Sequence, residues 1–447
     1  MCPDIACGRL SDTMLSQNFA DAHPGLTAEQ AGLEADRCFY CYDAPCIEAC
    51  PTDIDIPRFI KAIASKNIAG AAKTILQSNI LGGSCARVCP TEILCEQKCV
   101  HTAIETHKPV RIGALQRFAT DWQMAQTNHP FTRAAPSGRR VAIIGAGPAG
   151  LACAHRLARH GHEVTIFDRH DKMGGLNEYG VAAYKLADDF AQKEIDFLLS
   201  IGGIGFQGGA ILGETLSLAT LRQDFDAVFL AIGLGGVRAL GLEHETLDGV
   251  QDAVAFIETL RSHPLSSSAV GRRVVVIGGG NTAIDAAVQA KRLGAEEVTL
   301  VYRRGETTMS ATSVEREWAQ TNGVTLRLWA APLRLETENG TLRGVRFKRT
   351  DPGSLPASTP AEFMIEADMV LKAIGQIFVP APIAQDQILI ENGRIVVDAK
   401  GRTSLTNVYA GGDCTAGDDL TVAAVRDGRE AAEAIHADFS NSGERVN

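Results

Sequence analysis

Two stretches of this chain repeat one another, and the repetition narrows sharply what it can fold into. Residues 140–170, RVAIIGAGPAGLACAHRLARHGHEVTIFDRH, read as a buried strand, a glycine-rich turn, a helix and a second strand. Residues 273–304, RVVVIGGGNTAIDAAVQAKRLGAEEVTLVYRR, run through the same elements, with the first glycines, Gly145 and Gly278, 133 residues apart. Two further apolar runs closed by glycine also repeat: DAVFLAIG (226–233) and DMVLKAIG (368–375). Unbroken apolar runs of this length suit strands covered on both faces of a parallel sheet. NVYAGGDCTAGDDLTVAAVRDGREAAEAI (407–435) adds another strand, turn and helix. The simplest arrangement nests the second unit inside the first, the C-terminal segment returning to finish the first sheet. The expected fold class is α/β, with two nested Rossmann-like dinucleotide-binding domains.

Gly145, Gly147 and Gly150 fit G-x-G-x-x-G between a strand and a helix. Such a turn lets backbone approach a pyrophosphate, and the helix N-terminus adds amide donors and a positive dipole end. Asp168 closes the next strand, where a carboxylate can accept from a ribose hydroxyl. Strand, loop, helix and acid together favour an adenine dinucleotide over a glycine turn kept only for packing. In the second copy Gly278 and Gly280 hold the turn, with Asn281 and Thr282 within it; Tyr302 matches Asp168, and Arg303 and Arg304 follow. Two guanidinium groups can clamp a 2'-phosphate that a carboxylate would repel, which argues for NADPH over NADH. A solvated basic strand end is the plain alternative. In the first domain Gly411-Gly412-Asp413 ends a strand, and Asp413 can reach the ribityl-phosphate region of a long ligand, which points to FAD. The helix beginning near Thr421 would aim its positive end at the flavin ring.

Ten of the twelve cysteines lie in the first 99 residues, so the need for thiols is local. This part reads as helical from 27 to 128: Thr27 and Gln30 have capping-box spacing, Asp55 precedes Pro57, and NIAGAAKTILQ has apolar residues at helical intervals. PSGRR (136–140) reads as a linker. The expected domains are therefore 1–135, helical; 136–245, the first FAD segment; 246–375, the NAD(P)H domain; and 376–447, the second FAD segment. A net charge of −10 gives no nucleic-acid footprint, and no run of eighteen apolar residues or basic leader occurs, so a cytoplasmic chain without membrane spans is expected. Disulfides seldom persist there, which leaves metal or catalytic thiols.

The thiols fall into two groups. One runs Cys38-x2-Cys41-x4-Cys46-x3-Cys50 with Pro51 next; the other runs Cys85-x3-Cys89-x5-Cys95-x3-Cys99, with Pro90 after its second member. Eight thiols with two Cys-Pro steps suit two 4Fe-4S clusters, and in two-cluster ferredoxins the cysteine before proline serves the other cluster. Two zinc sites need the same count, but paired Cys-x2-Cys knuckles are expected of them and only Cys38 with Cys41 supplies one. A dithiol centre at that pair would leave six thiols unexplained. Cys153 and Cys414 read as packing residues, and Cys2 and Cys7 as part of a mobile tail.

The phrases DAPC, ACPT, GAAKTI, CARVCPTEILC and IGALQRF, followed by the two nested units, resemble dihydropyrimidine dehydrogenase: its N-terminal half and its separate bacterial flavin subunit, from about residue 27 to 437. The small subunit of glutamate synthase is similar in build. The resemblance implies one cluster on Cys38, Cys41, Cys46 and Cys99 and another on Cys50, Cys89, Cys95 and an unusual glutamine, Gln116, with Cys85 spare. From spacing alone Cys85 would be chosen in place of Gln116. The chain departs from the family by one extra residue between Cys99 and Gln116 and by VAAYKLA (181–187), which replaces a proline-rich phrase with an arginine. The implied function is electron input: NAD(P)H is oxidised at FAD and electrons pass through the clusters to a partner. That partner would be an FMN-containing subunit reducing uracil or thymine, in a hetero-oligomer, since the chain has no room for that barrel. No catalytic side chain is expected. The alternatives are the corresponding subunit of glutamate synthase or a related NADPH-dependent electron-transfer subunit, and a zinc-stabilised dinucleotide sensor.

Overall fold

A computed structural model describes residues 4–104, 108–350, 361–383 and 385–443, so Cys2 lies outside the described residues. The chain divides into two compact units. One comprises His23–Asn177, Asp188–Gly235 and Phe378–Asn447; the other comprises Met1–Ala22, Glu178–Ala187 and Gly236–Ile377.

The larger unit begins with short helices whose starts follow from their caps. Thr27 accepts from the Gln30 amide while the Gln30 side chain returns to the Thr27 amide, opening Ala28–Ala35. Asp55 accepts from the amide of Arg58 and opens Ile56–Ala64, with proline in the first turn; Asn67 accepts from Gly70 and opens Ile68–Ser78. Phe59, Ile60, Ile63, Ala71, Ile75, Leu115 and Ala119 face one another in a core that also takes in Cys50 and Cys95. Each large apolar side chain buried there contributes roughly 1.5–3 kcal/mol.

After the helices comes a five-stranded parallel sheet in the order Val408–Ala410, Ala227–Leu230, Arg140–Ile144, Glu163–Phe167, Ile204–Gln207. Val408 pairs with Val228, so the C-terminal strand does return to the sheet begun 268 residues earlier at Arg140. All four residues of Ala227–Leu230 are buried, as an apolar run without alternation requires. Helices Pro148–Arg159 and Thr421–Gly443 pack together in this unit's core through Leu151, Ala152, Ala424 and Ala431.

The smaller unit holds a second five-stranded parallel sheet, ordered Val250–Asp252, Met369–Ala373, Arg273–Gly278, Glu297–Val301, Thr325–Arg327. Ala330–Glu338, Thr341–Arg349 and Glu362–Glu366 form an antiparallel sheet that sequence periodicity did not foretell. Nor is the N-terminal segment the free tail expected around Cys7; Met1–Ala22 belongs to this smaller unit. Ala6 exchanges backbone hydrogen bonds with Val270 at 3.2 and 2.9 Å, and the side chains of Asn18 and Arg292 each donate to the other's backbone carbonyl at 2.9 and 2.6 Å. Leu15 and Phe19 bury in the second sheet's core, which fixes the segment there.

Close packing of the two helices in the larger unit depends on Gly428, where a Cβ would overlap the carbonyl oxygen of Ala149. Gly428→Ala is expected to lower the apparent unfolding temperature, by an overpacking cost on the order of 1–3 kcal/mol. Gly32→Ala, in a helix with nothing within 4 Å of the added methyl, is the control and should be neutral or slightly stabilising. Equal effects of the two substitutions in a thermal melt would remove the packing argument.

Candidate cofactor sites

In the larger unit the first glycine loop is built by exclusion of side chains. Gly145 sits at φ +105°, and a Cβ there would overlap the Ala231 carbonyl; one at Gly150 would overlap the Gly145 carbonyl. Gly147 is the N-cap of Pro148–Arg159 and brings no side chain to the cap, so the first-turn amides stay open to a ligand. Gly174 donates to Ala146 O at 2.9 Å, and a Cβ on Gly175 would stand 2.6 Å from Gly147 Cα. This second glycine pair braces the loop, and the sequence reading missed it although the doubled glycine was visible.

Asp168 is drawn into the same loop. Its Oδ2 accepts from Ala146 N at 2.7 Å, and its Oδ1 accepts from His170 N at 2.8 Å. Asp413 is held from the opposite strand: Arg394 donates to its carbonyl and pairs with Asp419 at 3.0 Å, and Gly412 N donates to Asp427 Oδ2 at 3.1 Å. Burial, reinforced by Asp419, pushes the Asp413 carboxyl up to about 6. The long C-terminal helix starts at Thr421, whose Oγ1 donates to Asn177 Oδ1 at 3.2 Å. Cys414 is fully buried, with its sulfur 3.4 Å from the carbonyls of Leu230 and Gly411, a packing role.

The second loop, in the smaller unit, follows the same rules. A Cβ at Gly278 would overlap Ala373 O, and Gly280 caps Asn281–Arg292 without a side-chain bond. Asn281 Oδ1 is buried without a hydrogen-bond partner among the described residues, beside half-buried Thr282. The Tyr302 ring lies against Gly279 and its hydroxyl donates to Thr308 O at 2.7 Å. Arg303 and Arg304 are exposed, and neither has a carboxylate partner among the described residues. Lys185, from the divergent VAAYKLA stretch, belongs to this unit and pairs with Asp285 at 2.8 Å and Glu315 at 2.6 Å. Burial alone would lower its pKa, but the two carboxylates outweigh it and hold the ammonium charged.

The thiols sort into two neighbourhoods within the larger unit. Burial raises Cys46 to about 12, with Cys38, Cys99 and Cys41 adding their charges. Burial likewise raises Cys38, with Cys41 and Cys99 beside it. Cys99 thus stands with the first three thiols despite its distance in sequence. Cys89 is raised by burial and then by Cys85, Cys95 and Cys50; Cys95 is raised by burial and then by Glu96, Cys50 and Cys46. Cys50, the residue before Pro51, therefore faces the second neighbourhood. Gln116 is buried, its Nε2 donating to Gly82 O at 2.7 Å. All the described cysteines are free thiols. No three His, Cys, Asp or Glu side chains among the described residues close on a single ion. The donor chemistry, soft sulfurs gathered in one helical segment, fits iron-sulfur ligation.

The helix Gly82–Val88, with Cys85 inside and Cys89 as its C-cap, is held from outside at both ends. Glu194, on the helix Phe190–Leu199, accepts from Gly83 N at 2.7 Å, from Ser84 N at 3.1 Å and from the Ser84 hydroxyl. Arg87 of the held helix lies 3.5 Å from the Phe190 ring centroid and pairs with Asp121 at 2.7 Å.

Residues 139–428 match the family model described as pyridine nucleotide-disulphide oxidoreductase. The chain belongs to that family. Residues 15–128 match the model described as dihydropyrimidine dehydrogenase domain II, 4Fe-4S cluster. The chain is 35% identical over 446 residues to the glutamate synthase [NADPH] small chain of Escherichia coli, covering 93% of each chain. It is 34% identical over 425 residues to the NAD-dependent dihydropyrimidine dehydrogenase subunit PreT of Salmonella typhimurium, covering 95% of this chain and 98% of that one. In fold it resembles Mycobacterium tuberculosis FprA in complex with NADPH, with TM-score 0.56, 20% identity, and coverage of 69% and 86%. It also resembles T. acidophilum thioredoxin reductase, with TM-score 0.53, 22% identity, and coverage of 68% and 99%. This member of the family is an NAD(P)H-dependent flavin and iron-sulfur oxidoreductase. No helix among its described residues is long and apolar enough to cross a membrane.

Glu194 gives the oxidoreductase a pH signature. Burial raises its carboxyl from 4.5 to about 7 against the Ser84 and Gly83 donors. A carboxyl whose folded value exceeds its unfolded one binds its proton more tightly when folded, so stability falls as pH rises from about 4.5 through 7, by about 3 kcal/mol in all. Glu194→Gln should flatten this: between pH 5 and pH 8 the apparent unfolding temperature of the wild type should drop further than that of the variant. Parallel losses would mean that another group titrates.

Proposed function

We propose that this chain is the electron-input subunit of a dihydropyrimidine dehydrogenase, taking electrons from NADPH and passing them through two 4Fe-4S clusters to a pyrimidine-reducing partner. The observation that carries the proposal is the sorting of eight thiols into two neighbourhoods, with Cys99 beside Cys38, Cys41 and Cys46, and with Cys85 beside Cys50, Cys89 and Cys95. An end-to-end match with a subunit named for that enzyme supports it further. Bound FAD supplies the conversion of one hydride into two single electrons, which no protein side chain can perform.

The chain's own residues bind and orient. Gly145, Gly147 and Gly150 admit the pyrophosphate of FAD to the amides of Pro148–Arg159, Asp168 offers its carboxylate to the adenosine ribose, and Asp413 meets the ribityl phosphate from the opposite strand. Gly278 and Gly280 do the same for the nicotinamide dinucleotide, with Asn281, its buried Oδ1 unpartnered, and Thr282 at the helix start. Arg303 and Arg304, exposed and free of carboxylates among the described residues, are suited to a 2'-phosphate. No residue here acts as acid, base or nucleophile. The domains follow the two units, with the helical cluster segment and FAD in one and the dinucleotide donor in the other, and the subunit works in a hetero-oligomer whose partner carries FMN.

The similarity to the glutamate synthase small chain favours a second reading with the same cofactors and a glutamate-forming partner. Co-purification from the native source separates the two. A flavin subunit converting uracil is the expected companion, and recovery of a large glutamate-converting chain would replace the first reading by the second.

Nucleotide choice has its own test. Arg303→Ala with Arg304→Ala should reduce the NADPH:NADH ratio of kcat/KM by at least about tenfold, the loss of one or two charge-assisted phosphate contacts. An unchanged ratio would remove the clamp.

A further inference from the structure

Asn79 is completely buried, and both of its side-chain polar atoms, Nδ2 and Oδ1, lack a hydrogen-bond partner among the described residues. Buried amides are almost always satisfied, so a doubly orphaned one calls for an absent partner. Its backbone leaves no freedom to swing away. Asn79 is the C-cap of Ile68–Ser78, its N–H donates to Ile75 O at 2.8 Å, and its carbonyl accepts from Gly82 N at 3.1 Å.

The surroundings define what that partner must be. Gly82, bonded to the Asn79 carbonyl, opens the helix Gly82–Val88, which carries Cys85 and is capped by Cys89. Gly82, whose N–H bonds to Asn79, also accepts from Gln116 through its carbonyl. Asn79 therefore borders the second thiol neighbourhood and is tied to Gln116 through a single residue. An N–H donor that finds no oxygen acceptor in such a place is suited to sulfur.

We propose that Asn79 donates an N–H···S hydrogen bond to the cluster held by Cys50, Cys89, Cys95 and Gln116, and that this bond raises the cluster's reduction potential. The proposal rests on the two-cluster reading above. Asn79 is a positioning and tuning residue, with no contact to substrate. The direction follows from charge: reduction adds an electron to the cluster, so a fixed donor stabilises the reduced form more than the oxidised one.

The test uses purified holoprotein whose iron and sulfide content has been measured first. Asn79→Leu keeps the volume and removes both polar atoms. In a redox titration followed by electron paramagnetic resonance, one cluster's midpoint should move downward while the other cluster and the flavin keep theirs. Unchanged midpoints in an iron-replete variant, or equal shifts in both clusters, would overturn the proposal and leave the cluster reading standing. Iron-free wild-type protein would overturn both. Should the variant fail to assemble, wild-type protein labelled with nitrogen-15 asparagine answers the same question. The reduced protein should show an asparagine nitrogen hyperfine coupling to one cluster, and its absence would sink the idea.

Discussion

The buried carboxylate of Glu194 is the constraint on which the cluster segment depends. A charged or protonated acid with no water around it must be fully bonded, and the amides of Gly83 and Ser84 with the Ser84 hydroxyl do this. Gly83 must be glycine for the same reason: a Cβ there would stand 2.6 Å from the Phe190 ring and 2.8 Å from Glu194 Oε1. The held helix carries Cys85, ends at Cys89 and receives Gln116 through Gly82. One acid on the helix Phe190–Leu199 thus braces the helix that carries Cys85 and ends at Cys89. Its raised pKa is the sign that burial has not been fully offset.

Much of this was legible in the sequence, for reasons that can be named. Caps are local, so Thr27 with Gln30 and Asp55 before Pro57 mark helix starts within a few residues, whereas the Asn67 cap on Gly70 went unread. Buried parallel strands are apolar on both faces, which is why DAVFLAIG and DMVLKAIG could be matched to Ala227–Leu230 and Met369–Ala373. The nesting showed as well, because a strand closed by Gly-Gly-Asp needs a sheet to join and Val408 pairs with Val228.

What escaped detection depends on partners far away in the chain. Glu194 reads as one more acid on an amphipathic helix until Ser84, 110 residues earlier, stands against it. Asn79 looks like an ordinary helix-ending asparagine, and only its burial sets it apart. The N-terminal segment carried no strand signal, because a single backbone bridge between Ala6 and Val270 needs no periodicity. Gln116 was reached through family resemblance and not through spacing, since an amide among thiols has no compositional signature.

The two glycine loops show how one turn can be given two tasks. Their backbones obey the same steric rule: Gly145 faces the Ala231 carbonyl and Gly278 the Ala373 carbonyl, each from the neighbouring strand of its own sheet. What differs is the residue after the second strand. Asp168 bends back to Ala146 N and so presents a carboxylate already shared with the loop, which can accept from a hydroxyl but repels any added phosphate. Tyr302 fills the corresponding space with a ring packed on Gly279, and beyond it Arg303 and Arg304 are exposed. Glycines therefore set how closely anything can approach the backbone of either loop, whereas the strand-end side chain sets the charge beside it.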